Sequence, residues 1–154
     1  MPHRSTPFRF PRKSWDEFSV EIRQAQNEHL MEGIVAGCAL VAFADGWVTD
    51  EEHDRMVRLI RGFGPIKVFG LADVIETFEA RTRQFAADQR AGEEAAVAAV
   101  ARVRGSPYVE LLVETCCAIA AADGGFDGEE RAAVIRICKV LKLDPDKFEI
   151  AEAA

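Results

Sequence analysis

Apolar residues recur along this chain at three- and four-residue spacing, and no segment has the alternating or β-branched, turn-bounded look of a sheet strand. Ser14 followed by Glu17 has the spacing of a capping box, and Phe18, Ile22 and Ala25 behind it predict a first amphipathic helix. The next element, from about His29 to Ala44, is apolar on nearly every side, which predicts a helix buried all round. Its Gly33 and Gly37 would let another helix approach closely, at a cost in helix propensity of about 1 kcal/mol each. Gly46 ends it.

Thr49 then offers a side-chain cap with Glu52 at the third helical position, and Met56, Leu59, Ile60 and Phe63 continue the stripe until Gly62, Gly64 and Pro65 stop it. Val74, Ile75, Phe78 and Phe85 define a helix from about Leu71 to Gln84. An alanine-rich helix follows from about Gly92 to Arg104. After the break at Gly105-Ser106-Pro107, where Pro107 suits a first helical turn, Val109 to Ala122 reads as a second buried helix. Asp127 caps the next, with Val134, Ile137 and Leu141 as its stripe, and Asp144-Pro145 opens a last short helix with Phe148 and Ile150. The pattern predicts an all-α, single-domain bundle of about seven or eight helices over residues 14–154.

The second half repeats the first at an offset of 78 residues. Ala44-Asp45-Gly46 with Glu51-Glu52 matches Ala122-Asp123-Gly124 with Glu129-Glu130, and Glu32, Cys38, Ala42 and Arg58 match Glu110, Cys116, Ala120 and Arg136. Two related helical hairpins are therefore expected, each with acidic side chains at its turn.

Charge sharpens this picture. The formal net charge is −7, yet Arg4, Arg9, Arg12 and Lys13 give residues 1–13 a charge of +4 with no acid, so residues 14–154 carry −11. An acidic body argues against nucleic acid and for cations or basic partner surfaces. The basic arm, broken by Pro2, Pro7 and Pro11, is expected to be a flexible terminus. The longest apolar stretch, the twelve residues Gly33 to Ala44, is about half a membrane span, and no apolar signal region follows the basic start. Cys38, Cys116, Cys117 and Cys138 lie in apolar helical stretches without CxxC spacing, as expected of a reduced, cytoplasmic protein.

The acidic turns carry the candidate chemistry. Glu52 and Glu130 fit capping boxes, and acids in a first turn suit the positive end of the helix dipole; Glu51 and Glu129 share that explanation. Asp45 and Asp123 do not, because each sits at a helix C-terminus, where a negative charge is disfavoured by about 0.3–1 kcal/mol. A local backbone hydrogen bond at the Asp-Gly turn is one reason for them. A cation held by the Asp carboxylate, the free helix-end carbonyls and the Glu seven residues later is another. Oxygen ligands of this kind suit Ca²⁺, Mg²⁺ or Mn²⁺ and not zinc. The candidate ligands are Asp45, Glu52, Asp123 and Glu130, with Glu51, Asp127 and Glu129 beside them. The loops are not EF-hands, since the twelfth positions counted from Asp45 and Asp123 are Met56 and Val134.

The order of these features resembles the TerB family of bacterial tellurite-resistance and stress-response clusters. Met31-Glu32-Gly33, the two acidic motifs, Lys67-Val68-Phe69, Gly125-Phe126-Asp127 and Leu143-Asp144-Pro145 leading to Phe148 carry the resemblance, which covers about residues 15–150. It implies a cytoplasmic all-helical domain with an acidic, divalent-cation-binding surface. It further implies association with other proteins of the cluster, among them Ca²⁺-binding partners and an integral membrane protein that would bring the chain peripherally to the inner membrane. A related domain occurs in a membrane-anchored DnaJ-like co-chaperone, but this chain has neither a His-Pro-Asp signature nor a spanning helix. The basic arm does not map onto the family.

Two other functions compete with a non-enzymatic interaction module. Thiol-based handling of tellurite or oxidant would use the Cys116-Cys117 pair and Cys38, although no Lys, Arg or His lies within a turn of Cys116 to lower its pKa. Metal-assisted hydrolysis would need a positioned base, and His3, His29 and His53 fall in the arm or at helix starts. Trp15 and Trp47 are expected to pack or cover turns, and Arg58 and Arg136 to be solvated or paired.

Overall fold

The computed structural model describes residues 13–25, 27–124 and 127–148. The basic arm before Lys13, the Gly125-Phe126 pair and Ile150 therefore lie outside the described residues. Among those described, the chain forms seven α-helices, two short 3-10 segments and no strand. The helices are α1 (Trp15–Ala25), α2 (Glu28–Ala42), α3 (Asp50–Gly62), α4 (Leu71–Ala87), α5 (Gln89–Ala101), α6 (Val109–Ala120) and α7 (Gly128–Val140). The 3-10 segments are Gly64–Phe69 and Pro145–Phe148.

Helix α2 is the axis of the bundle. It is buried from Gly33 onward and packs against α3, α4, α5, α6 and α7. Its apolar faces leave no side suited to water, which is why a helix with little amphipathic contrast ends in the middle. The glycines do what their spacing predicts. A Cβ on Gly33 would lie 2.8 Å from Leu112 Cδ1, and one on Gly37 would lie 2.5 Å from Cys116 Sγ, so α6 approaches α2 closer than an alanine allows.

Helix ends depart from the sequence reading where side-chain caps decide. Asn27 accepts from the His29 and Leu30 amides and starts α2 at Glu28. Asp88 accepts from Ala91 N, so α5 begins at Gln89, ahead of Gly92. Pro107 lies just before α6 instead of inside its first turn. Ser14 and Glu17 form the expected reciprocal cap, at 3.1 Å in both directions. Lys13, the last residue of the basic arm, is tied to the domain by ion pairs with Glu21, at 2.9 Å, and with Glu114. No described helix is long and apolar enough to cross a membrane.

Candidate functional site

The two acidic turns close with the same backbone pattern. In the first, Phe43 N donates to Ala39 O, Ala44 N to Val41 O and Gly46 N to Phe43 O; in the second, Ala121 N donates to Cys117 O, Ala122 N to Ile119 O and Gly124 N to Ala121 O. Gly46 and Gly124 both adopt the left-handed conformation, with φ of 91° and 84°, which a side chain would strain. This local likeness is what the structure shows of the expected pair of related hairpins.

The side chains then diverge. Around the second turn, Glu130 N donates to Asp127 Oδ1 at 2.7 Å and Asp127 N donates to Glu130 Oε1 at 3.0 Å, the full capping box that the spacing predicts. Around the first, Glu52 N donates to Thr49 Oγ1 at 3.1 Å, but the Glu52 carboxylate accepts from the Thr49 hydroxyl instead of reaching back to the backbone. Asp45 Oδ1 accepts from Trp47 N at 3.1 Å, so a local turn bond accounts for part of its placement.

The turns converge on one cavity of about 210 Å³, lined by Asp45, Glu52, Asp127, Glu129 and Glu130 together with Arg55. Asp123 joins this group through the arginine. Arg55 Nε and Nη2 donate to Asp123 Oδ2 and Oδ1 at 2.9 and 3.1 Å, Nη1 donates to Glu130 Oε2 at 2.9 Å, and Nη2 also reaches Ala120 O at 3.3 Å. Glu51 is exposed and does not line the cavity. Trp47, expected to pack or cover its turn, stands 70% exposed beside the first turn, whereas Trp15 lies against Gly64 and edge-on to Phe63 at 6.1 Å.

Charge is distributed unequally over the cavity. Burial pushes the Glu52 pKa up against the Thr49 hydrogen bond, and the neighbouring Asp45 and Glu130 charges push it further. Burial likewise raises Glu130 despite its bonds from the Asp127 amide and Arg55. The hydrogen bond to Asp123, followed by the charges of Glu130 and Asp123, holds Arg55 above its ordinary value in spite of burial. Among the described residues, no ion pair includes Asp45 or Glu52. Nor does any group of three or more His, Cys, Asp or Glu side chains stand in position to hold a metal ion, again among the described residues. The donor chemistry suits a hard cation, but in this arrangement a guanidinium is what bridges the second turn.

Arg55 is the residue that sequence reasoning missed. It stands three and four residues after Glu52 and Glu51, where a helix-surface pair would be the ordinary reading. One signal was available: the residue at the offset of 78 is Ala133, so the arginine belongs to one unit alone.

The remaining candidates resolve more simply. His53 is held between Asp54, at 2.8 Å, and Glu79, with its ring over Phe78. Burial lowers its pKa, but the two carboxylates outweigh that and hold it above its ordinary value. Arg136 faces Glu93 at 3.9 Å, and Arg58 is exposed. Cys38, Cys116, Cys117 and Cys138 are free and buried. The Cys116 thiol is pushed well up by its hydrogen bond with Cys38 and by burial, Cys117 well up by burial, and Cys138 up to about 12, mainly by burial. Thiolate is the reacting form. A thiol-specific chromogenic reagent is therefore expected to label native protein far more slowly than denaturant-unfolded protein, with all four cysteines counted only in the latter.

Fold and site together define a small all-helical protein whose two acidic turns face one another across an arginine. A family model described as tellurite resistance protein TerB matches residues 31–153, and the chain belongs to that family. It is 29% identical over 97 residues to a tellurium resistance protein TerB from Alcaligenes sp., an overlap of 63% of this chain and 80% of that protein. No solved structure matches. Membership associates the chain with tellurite resistance.

Proposed function

We propose that the chain is a non-enzymatic module of tellurite resistance or a wider stress response, which binds a divalent cation at its acidic turns and docks other proteins of the same cluster. The observation that carries this reading is the meeting of two acidic turns, far apart in sequence, on one cavity. Asp45 and Glu52 are the leading ligands, because they bring two carboxylates together with no basic partner among the described residues. Glu130, Asp127 and Glu129 line the same walls, Asp123 is engaged by Arg55, and Glu51 is peripheral. Ca²⁺, Mg²⁺ or Mn²⁺ fits this donor set. The acidic body favours basic protein surfaces over nucleic acid. A cytoplasmic protein that meets an integral membrane partner at the inner membrane is the setting that the family suggests.

Thermal melting in EDTA and then in Ca²⁺, Mg²⁺, Mn²⁺ or Zn²⁺ tests the cation. A ligand that binds only the folded state at 100 times its Kd adds about 2.7 kcal/mol. One hard cation is expected to raise the Tm by several degrees and to change the emission of Trp47, whose amide is bonded to Asp45. Both responses should vanish in Asp45→Asn, Glu52→Gln while the helical content stays. No shift with any ion would return Glu52 to helix capping and Asp45 to its turn bond.

A further inference from the structure

We propose that Arg55 is the resident cation of the second acidic turn, so that this turn holds a counter-charge without a metal while the first has none among the described residues. The guanidinium contacts Asp123 through both carboxylate oxygens, Glu130 through one, and the helix-end carbonyl of Ala120. A carboxylate at the helix end, a free carbonyl and the glutamate seven residues later are the groups that a metal ion at this turn would take. Guanidinium suits them because its planar fork grips one carboxylate with two parallel bonds and still has donors for other acceptors.

Its origin gives the contact a second consequence. Arg55 rises from α3, which follows the first turn, and reaches residues 65 to 75 positions further along the chain. The bond set therefore fastens the first hairpin to the second at their acidic ends. Reciprocity would require an arginine from α7 to grip Asp45 and Glu52, but the corresponding residue is Ala133. The asymmetry is thus built into the chain. An incoming cation meets Asp45 and Glu52 without a basic partner among the described residues and must compete with Arg55 for Glu130. The inference goes beyond the cation reading above and stands whether or not the wild-type protein binds a metal.

Melting of the wild type, Arg55→Gln and Arg55→Lys in EDTA, in millimolar Ca²⁺ or Mg²⁺, and in NaCl of matched ionic strength tests it. Arg55→Gln is expected to melt several degrees below the wild type in EDTA, because Asp123 and Glu130 then lose the Arg55 charge. Ca²⁺ or Mg²⁺ should restore more of that gap than the wild type gains from the same ion, and more than NaCl restores. Arg55→Lys should fall between, since one ammonium cannot span all three acceptors. Adding Asp123→Asn to Arg55→Gln should recover stability without any ion, and this arm decides the matter if Arg55→Gln alone does not fold. Melting of Arg55→Gln like the wild type in EDTA, rescue by NaCl as good as by the divalent ions, or no recovery in the double variant would overturn the proposal. A wild type that ignores every cation beside an ion-rescued Arg55→Gln would sink the cation reading and leave this one standing.

Discussion

Phe43→Ala is expected to destabilise the protein by about 3–5 kcal/mol, the range for emptying a phenylalanine site in a packed core. The ring is fully buried, 5.3 Å from Phe85 and 6.1 Å from Phe78 between centroids. Both partners belong to α4, so the missing ring opens a void between α2 and α4 that neither helix can close alone. In a domain of this size such a loss lowers the Tm by roughly 10 °C. Phe43 is also the last residue before the first acidic turn: its amide bonds to Ala39 O, and its carbonyl accepts from Gly46 N and from Gln89 Nε2 at 3.3 Å. Loosening it should weaken any cation response at Asp45 along with global stability. Urea unfolding measures the first effect and Trp47 emission under cation titration the second. Phe43→Leu, which keeps most of the volume, should retain most of both.

Gly92→Ala carries the second large effect, and its sign reverses what helix propensity suggests. Gly92 lies inside α5, where alanine would ordinarily gain about 1 kcal/mol. A Cβ there, however, would stand 2.7 Å from Phe85 Cα and 2.8 Å from Phe85 N. These are backbone atoms of α4, so relief requires shifting one helix against the other. Overpacking of this kind costs about 1–3 kcal/mol. Gly128→Ala is the contrasting case, because nothing among the described residues lies within 4 Å of its added Cβ and it opens α7. Stability should fall in the first variant and rise by a few tenths of a kcal/mol in the second. If both rise, α4 and α5 are less closely packed than the geometry states.

The helices were legible because each carries its own signals. The 3.6-residue apolar period, the caps at Ser14, Thr49 and Asp127, and the stops at Gly46 and Gly64 act within one turn of chain. Less legible were the 3-10 segment Gly64–Phe69, whose Pro65 and Ile66 are buried by tertiary packing, and the start of α5, where a cap at Asp88 competes with an alanine-rich stretch. Glu52 and Glu130 looked alike in sequence. They differ in the fold because Asp127 and Glu130 complete a reciprocal box, while Glu52 is left beside Asp45 and Glu130.

The sequence alone determined the helical class, the burial of α2 and α6, the acidic turns and the family, since propensity, capping and periodicity are properties of neighbouring residues. It also identified Asp45 and Asp123 as locally disfavoured and therefore worth a reason. Only the tertiary structure decided that both turns share one cavity, that Trp47 is exposed, that the cysteines are sealed away, and that Arg55 spans from α3 to Asp123 and Glu130. Such facts depend on which helix faces which and at what distance. That is set by packing small residues such as Gly33 and Gly37 against α6, a relation between distant segments that no local pattern encodes.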